Sequence, residues 1–229
     1  MHTLMVADDH PLFREAIAAV IEAGLPDSRL LEAESLDEAL RHAGACAELD
    51  LALLDLGLPD ASGLEGLRAL RAAHPWLPVA ILSADQERRT ILDALDLGAV
   101  GYIPKSTARR SLLAALAQLL EGQVYLPPDI MRRSAVPHLS AAGAGAGAPM
   151  PGPRFAALTD KQLEVLIRLS HGASNKVIAR ELDIAETTVK THVSAILRKL
   201  GVPGRVQAIL AANDADLEAL LAERHGPSR

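Results

Sequence analysis

The chain has 229 residues, of which 49 % are hydrophobic and only 2 % aromatic, and its formal net charge is −6. This length suits one large domain or two ordinary ones with aliphatic cores. No apolar stretch approaches the roughly 18 residues of a membrane-spanning helix, and the start lacks the pattern of a signal peptide. The single cysteine, Cys46, excludes an internal disulfide and is typical of a reducing compartment. We therefore expect a cytoplasmic protein that has no contact with a membrane.

Charge is distributed unevenly along the chain. Residues 1–125 contain 10 Lys and Arg against 19 Asp and Glu, whereas residues 155–210 contain 8 against 5. An acidic front half and a mildly basic back half indicate two domains with different partners. Because the basic excess is small, nucleic-acid binding has to be argued from a motif.

Short apolar runs alternate with helical patterns in the front half. One helical pattern follows Pro11, which suits a first helical turn, and another opens at the capping-box pair Ser35 and Glu38. Two later patterns end at Gly98 and Gly122. The predicted strands are residues 4–7, 51–54, 79–82 and 100–103, with a weaker candidate at 29–31. This alternation predicts an α/β domain with a doubly wound, parallel, five-stranded sheet over residues 1–125.

A change of composition separates the two halves. Residues 126–154 include "SAAGAGAGAPMPGP", a stretch rich in Gly, Ala and Pro in which Met150 is the only large apolar side chain. This composition predicts a flexible linker, whose 29 residues would span roughly 30 Å on average. Such a linker allows the two domains to dock or to separate.

The back half has only helical patterns. A capping box at Thr159 and Gln162 precedes the first, Ser174 can cap the second, and Gly201 ends the third. These patterns predict an all-α domain over residues 155–212. Leucines at helical spacing in the tail, residues 213–229, indicate a short extra helix.

Polar residues follow four of the predicted strands. Asp8 and Asp9 follow the first, Asp55 and Ser83 follow the third and fourth, and Lys105 follows the fifth after a proline. In an open parallel sheet the carboxyl ends of the strands form the ligand-binding edge. Three neighbouring carboxylates repel each other without a cation, and Mg²⁺ prefers oxygen ligands. A carboxylate beside a metal ion, a lysine and a hydroxyl is suited to attack phosphorus.

These segments also carry a family resemblance. "VADDHPLFREA", "LLDLGLPDASGLEGL", "AILSA" and "GAVGYIPKS" together resemble the receiver domain of bacterial two-component response regulators, over about residues 3–121. The resemblance implies a flavodoxin-like fold with strand order 2-1-3-4-5. It implies that Asp55 is the phosphoacceptor, that Ser83 and Lys105 contact the phosphoryl group, and that Tyr102 is the aromatic switch residue.

The resemblance also implies a set of metal ligands. Asp9 would bind Mg²⁺ directly and Asp8 partly through water, with Asp55 and the backbone carbonyl of Gly57 completing the protein ligands. Each of these residues alone has an ordinary explanation, since an aspartate can cap a helix and a lysine is usually solvated. Their joint occurrence at successive strand ends favours a functional site.

The third helical pattern of the back half has two distinct faces. At 100° per residue an apolar stripe lies opposite a small, polar and basic face, on which Thr187, Thr191 and Ser194 lie near Arg198. Such a face can enter the major groove of DNA. The apolar stripe consists of Val189, Val193, Ile196, Leu197 and Leu200.

Residues 158–210, with "SNKVIA" and "TTVKTHVSAILRKL", closely resemble the helix-turn-helix domain of NarL/LuxR-type (FixJ-type) regulators. The resemblance implies groove contacts by Lys190, Thr191 and Ser194, and phosphate contacts by Thr188, Lys176 and Lys199. No Cys/His spacing supports a metal site at His171 or His192.

Together the two resemblances imply a bacterial transcription regulator that catalyses only its own phosphorylation and dephosphorylation. The expected partners are a sensor histidine kinase and double-stranded DNA, with RNA polymerase as a further candidate and a homodimer in the phosphorylated or DNA-bound state. An aspartyl-phosphate phosphohydrolase is disfavoured because the first strand ends in adjacent aspartates instead of a D-x-D pattern. A regulator that is switched by protein contact or a small ligand stays open.

Overall fold

The computed structural model describes residues 2–127, 155–213, 215 and 217–225. Its first part is a parallel sheet with strand order β2-β1-β3-β4-β5, which confirms the predicted doubly wound fold. The elements are β1 (His2–Ala7), α1 (Pro11–Gly24), β2 (Ser28–Ala33), α2 (Leu36–Ala45), β3 (Leu49–Asp55), α3 (Glu65–Ala73), β4 (Val79–Ser83), α4 (Arg88–Asp96), β5 (Gly101–Pro104) and α5 (Arg109–Leu120).

The burial of each strand explains how well its limits could be predicted from the sequence. β1, β3, β4 and β5 are almost entirely buried, which is why they appear as continuous apolar runs. β2 lies at the edge of the sheet and is only partly buried, and it extends over six residues where the sequence indicated three. Helices α2, α3 and α4 pack on one face of the sheet, and α1 and α5 pack on the other.

The segment after α5 returns to the sheet. Tyr125 forms a parallel β-bridge with Gly101, and its carbonyl accepts a hydrogen bond of 3.0 Å from the backbone N–H of Tyr102. Leu126 packs against the core on the face of α2. Most of the predicted linker, residues 128–154, lies outside the described residues.

The second part is helical, as the sequence predicts. The complete capping box of Thr159 and Gln162 begins its first helix, and Gly201, with φ of 67°, ends the third. The helices are α6 (Asp160–Ser170), α7 (Asn175–Leu182), α8 (Glu186–Leu200), α9 (Arg205–Asn213) and α10 (Leu217–His225). All five positions of the predicted apolar stripe on α8 are buried in the core of this part.

Helix α10 lies in the predicted tail and packs on α6 through apolar side chains. Arg224 of α10 donates hydrogen bonds to the carbonyl oxygens of Leu158 and Ala156, which precede α6. Helix α10 therefore packs as part of the folded helical part, although it lies in the predicted tail. Among the described residues, no helix is both long enough and apolar enough to cross a membrane.

Candidate functional site

Asp8 and Asp55 lie side by side at the carboxyl edge of the sheet. In the parallel register Ala7 pairs with Leu54, so the next residue of each strand is an aspartate. Both are buried, with side-chain exposures of 0 % for Asp8 and 5 % for Asp55. Two neighbouring buried carboxylates repel each other and have lost their hydration, so they require a cation between or beside them.

Lys105 supplies one such cation. Its Nζ lies 2.8 Å from Asp8 Oδ2 and 2.8 Å from Asp55 Oδ2, and 4.9 Å from the centre of the Phe13 ring. Burial alone would lower the pKa of Lys105, but its hydrogen bonds to Asp55 and Asp8 and their charges outweigh this effect and raise it. Lys105 therefore stays charged at neutral pH and bridges the two carboxylates.

Asp9 and His10 complete a cluster at the open side of this pocket. Ligand atoms of Asp8, Asp9, His10 and Asp55 all lie within 4.8 Å of one another. The three carboxylates carry three negative charges against the positive charge of Lys105, and the nearby Arg14 guanidinium is paired with Glu32 and Glu34. Gly57 approaches the same pocket, since a Cβ at this position would lie 3.3 Å from Asp55 Oδ2. The negative excess and the oxygen donors fit a divalent metal ion.

Ser83 and Tyr102 are connected through the loop between β4 and α4. Ser83 ends β4 and its Oγ accepts a hydrogen bond of 3.1 Å from the backbone N–H of Asp85. The buried Tyr102 hydroxyl donates to the Asp85 carbonyl at 2.8 Å. Burial raises the pKa of Tyr102, and the charges of Asp85 and Asp55 act in the same direction, against a hydrogen bond with Ser83. The predicted switch residue is thus bonded to the loop that follows Ser83.

Two residues of the pocket were not predicted. His10 directly follows the aspartate pair and caps α1, and no motif in the sequence marks it as part of the site. Arg14 is buried, and its Nη1 donates to the Asp8 carbonyl at 2.7 Å. A buried arginine on α1 gives no signal in the sequence, because its carbonyl partner is defined only by the fold.

Three of the four residues of α8 before Lys199 that are predicted to contact DNA are accessible to solvent. Thr188 and Thr191 are exposed and Ser194 is half-buried. The Thr191 hydroxyl donates to the Thr187 carbonyl at 2.9 Å, and the Ser194 hydroxyl to the Lys190 carbonyl at 3.0 Å.

The two predicted phosphate-contacting lysines outside the polar face of α8 have different environments. Lys199 donates to the Ala157 carbonyl at 2.9 Å and to Gln162 Oε1 at 2.8 Å. Lys176 is exposed, and it borders a small cavity between the two parts of the chain. Lys199 therefore stabilises its own helical part in this structure.

Comparisons with known proteins agree with both parts of this description. The family model "Response regulator receiver domain" matches residues 4–117, and "Bacterial regulatory proteins, luxR family" matches residues 156–212. The glycerol metabolism activator of Pseudomonas putida is 51 % identical, over 96 % of this chain and 99 % of that protein. The chain is a response regulator.

More distant relatives share both parts. The nitrate/nitrite response regulator NarL of Escherichia coli is 32 % identical over 90 % of this chain and 92 % of its own. A structure of the response regulator RcsB of Salmonella typhimurium aligns with a TM-score of 0.54 and 22 % identity, over 94 % of this chain and 100 % of that chain. At this identity the structural match supports the fold alone. The response regulator described here thus combines a receiver domain with a LuxR-type DNA-binding domain.

One predicted DNA contact of this response regulator faces its own receiver domain. Lys190 of α8 is 4 % exposed, and its Nζ donates to the carbonyls of Ala47 and Leu49. The same ammonium lies 4.6 Å from the centre of the Trp76 ring and 2.9 Å from Glu186 Oε1. The family resemblance implied that Lys190 contacts the DNA groove, but in this structure the receiver domain covers its side chain.

Further contacts join the receiver domain to the start of α9. Arg71 donates from Nε to the Pro203 carbonyl at 3.1 Å, and Gln207 donates to the Leu95 carbonyl at 2.6 Å. Burial lowers the pKa of the Arg71 guanidinium to about 10, so Arg71 stays charged at neutral pH. Val206 of α9 packs into the receiver core formed by α1 and α5.

One close backbone approach between the domains involves two glycines. A Cβ on Gly204 would lie 2.6 Å from Gly98 Cα, and a Cβ on Gly98 would lie 2.8 Å from the Pro203 carbonyl oxygen. No side chain fits between backbones at this distance. These contacts lie at the amino-terminal end of the strands, on the side of the receiver opposite Asp55.

Proposed function

We propose that Asp55 of this response regulator accepts a phosphoryl group from a sensor histidine kinase and that phosphorylation switches sequence-specific DNA binding. The observation that carries this proposal is Lys105, whose ammonium bridges Asp8 and Asp55 in a buried acidic pocket. An ammonium at this position is suited to stabilise charge on a transferring phosphoryl group.

The chemistry follows from the positions of the side chains. A carboxylate oxygen of Asp55 attacks phosphorus, and the phosphorus bond to the donor group breaks as the acyl phosphate forms. The Lys105 ammonium would then bind a phosphoryl oxygen while it keeps its contact with Asp8. The Ser83 hydroxyl, on the neighbouring strand, would bind another. The protein would catalyse only its own phosphorylation and dephosphorylation and would act on no other substrate.

Asp8, Asp9, Asp55 and the carbonyl of Gly57 would hold the Mg²⁺ ion in this site. When bound, the ion supplies positive charge that offsets the charge developing on the phosphoryl oxygens. The residues fit it because three carboxylates face only one ammonium. Incubation of the protein with a small phosphodonor, with and without Mg²⁺, followed by intact-mass measurement, tests the proposal. Absence of a phosphoryl adduct in the presence of Mg²⁺ would contradict it.

Asp9→Ala is expected to weaken Mg²⁺ binding and to slow phosphorylation together, because it removes a direct ligand and one of three negative charges. Isothermal titration calorimetry measures the affinity, and the rate of mass gain measures the reaction. Asp93→Ala on α4 removes an exposed carboxylate of similar size away from the pocket and serves as the control. An unchanged Mg²⁺ affinity of Asp9→Ala would rule out Asp9 as a ligand.

The DNA-binding function is proposed to depend on domain separation. Docking of the receiver on α8 buries Lys190 and leaves no room for a DNA groove at that flank of the helix. We infer that the arrangement described above is the inactive form and that phosphorylation shifts the population towards a separated form. The predicted linker over residues 126–154 would allow this separation.

Substitutions on α8 should change the DNA affinity of the phosphorylated full-length protein in different ways. If Lys190 contacts a phosphate, Lys190→Ala should reduce the slope of log affinity against log salt by about 0.9. If it contacts a base, the loss should be roughly 1–3 kcal/mol at one position of the site. Thr191→Ala removes no charge and should leave the slope unchanged. Titrations at several salt concentrations separate these cases, and a changed slope for Thr191→Ala would contradict the assignment.

The remaining assignments extend the same proposal. We propose a receiver domain over residues 1–125, a linker over 126–154, a DNA-binding domain over 155–212 and a tail over 213–229. We propose action as a homodimer on paired half-sites in the cytoplasm, with RNA polymerase as a further partner. Light scattering of the phosphorylated protein with a palindromic duplex would test the dimer.

The relative with 51 % identity is named a glycerol metabolism activator. We propose that this response regulator likewise activates genes for glycerol use. Deletion of its gene should impair growth on glycerol and leave growth on succinate unchanged. Complementation with the wild type, but not with Asp55→Asn, should restore growth. Normal growth of the deletion strain on glycerol would contradict this assignment.

A further inference from the structure

His10 is held against the acidic pocket by its own backbone. Its N–H donates to Asp8 Oδ1 at 3.0 Å, and the residue directly precedes Pro11 at the start of α1. The imidazole Nδ1 lies 2.7 Å from Asp9 Oδ1 and 3.1 Å from Asp8 Oδ1. The ring therefore faces both carboxylates that are proposed to bind the metal ion.

These separations match those of neighbouring ligands around one ion. In an octahedral site with metal–ligand distances of about 2.1 Å, adjacent ligand atoms lie about 3 Å apart. The two distances from Nδ1 lie on either side of this value, and Asp55 contributes a fourth atom to the same cluster. Without an ion they are also the distances of hydrogen bonds in which Nδ1–H donates to a carboxylate, so metal binding requires the other tautomer of the ring. A neutral imidazole with its proton on Nε2 has a lone pair on Nδ1 that can bind a metal.

We propose that His10 is a ligand in this metal site. Its imidazole nitrogen would give the site a higher affinity for ions that favour nitrogen ligands, such as Ni²⁺, than oxygen ligands alone would give. Imidazole contributes strongly to binding of Ni²⁺ and Zn²⁺, whereas Mg²⁺ prefers oxygen ligands and retains its waters. The inference rests on the proposed function only in that Asp8, Asp9 and Asp55 bind a divalent ion. The regulator would then respond to transition-metal ions that compete with Mg²⁺ for the receiver.

Calorimetric titrations of the full-length protein with Mg²⁺ and, separately, with Ni²⁺ test this selectivity. His10→Ala should weaken Ni²⁺ binding by about tenfold or more and change Mg²⁺ binding by less than about threefold. His42→Ala is the matched control, because His42 on α2 also faces a carboxylate, with Nε2 3.7 Å from Glu38 Oε1, outside the pocket. It should change neither affinity. The His10 side chain is 67 % exposed, so its removal should leave the fold intact.

A spectroscopic measurement reports on the atoms that bind the ion. The visible absorption bands of bound Ni²⁺ depend on its ligand atoms, so they should shift in His10→Ala and stay unchanged in His42→Ala. His10→Gln retains a hydrogen-bonding side chain but lacks the ring nitrogen, so it should lose Ni²⁺ affinity as His10→Ala does.

The outcomes distinguish this inference from the proposed metal site. Equal losses of Mg²⁺ and Ni²⁺ affinity in His10→Ala, or no loss of Ni²⁺ affinity, would overturn the role of His10. If Asp9→Ala then still loses Mg²⁺ binding, the acidic site itself stands. If Asp9→Ala binds both ions as the wild type does, the acidic site is wrong and the inference fails with it.

Discussion

Asp55→Asn is expected to abolish phosphorylation of this response regulator while the receiver domain remains folded. The amide has nearly the same shape as the carboxylate but is a poor nucleophile towards phosphorus. Lys105 keeps Asp8 as its partner at 2.8 Å, so its charge stays paired in the variant. Intact-mass measurement after incubation with a small phosphodonor and Mg²⁺ should show no phosphoryl adduct above the detection limit.

Asp50→Asn is a suitable control because Asp50 lies on the same strand as Asp55, at the opposite end. Its Oδ2 accepts a hydrogen bond of 2.9 Å from the Thr3 N–H, a contact that an asparagine oxygen can retain. This variant should gain a phosphoryl group as fast as the wild type. A phosphoryl adduct on Asp55→Asn at the wild-type rate would place the acceptor on another residue.

The pocket around Asp55 could be predicted because it depends on short-range signals. Each strand of a parallel sheet ends at the same edge, so the residues that follow the apolar runs meet there. Asp8, Asp55 and Lys105 meet in the structure as this rule requires. Even the adjacency of Asp8 and Asp55 follows from two strands that pair in parallel with Ala7 opposite Leu54.

The contact between the domains could not be predicted from such signals. Charge asymmetry suggested different partners for the two halves, yet Lys190 and Arg71 meet backbone carbonyl oxygens of the opposite domain. Carbonyl groups carry no residue-specific signal in the sequence. The close approach of Gly98 and Gly204 depends on the docked geometry of two separately folded units, which no local pattern encodes.

The β-bridge at Tyr125 shows a similar limit. The sequence predicts that the receiver ends at residue 125 and the linker begins at 126. The structure uses Tyr125 as an added edge partner of β5, where its carbonyl accepts from the Tyr102 N–H. A single bridging residue has no alternating pattern, so it cannot be distinguished from a loop in the sequence.

The proposed phosphorylation site and the docking contacts lie at opposite ends of the receiver, so a change at Asp55 would have to reach the other end through the domain. Helix α4 connects them. It begins after the loop whose Asp85 carbonyl accepts from Tyr102. Its Leu95 carbonyl accepts from Gln207 of α9, and Gly98, two residues beyond its end, contacts Pro203 and Gly204. A movement of this loop would therefore shift the contact between Gly98 and Gly204. Any change that weakens this contact should favour separation of the two domains.

Gly204→Ala is expected to open the docked form without phosphorylation. The added Cβ would lie 2.6 Å from Gly98 Cα, which is backbone and cannot rotate away. An open form of a two-state protein is typically populated at roughly 0.1–10 %. Loss of the docked form should therefore tighten the apparent DNA affinity of the unphosphorylated protein by roughly 10- to 1000-fold. Fluorescence anisotropy with a labelled duplex at one fixed salt concentration measures this change.

Two controls separate opening from a direct effect on DNA binding. In residues 155–229 alone, Gly204→Ala should leave the affinity unchanged. The two nearest atoms to the added Cβ belong to the absent receiver, and the third is the end of the flexible Gln207 side chain at 3.2 Å. Gly44→Ala on α2, where the nearest atom is 3.9 Å away, should leave full-length DNA binding unchanged.

Trp76, the single tryptophan, loses the Lys190 ammonium from its ring on opening, so its emission should change in Gly204→Ala and on phosphorylation alike. If the emission changes but the DNA affinity does not, the domains separate without controlling access to DNA, and phosphorylation acts through another step such as dimerisation.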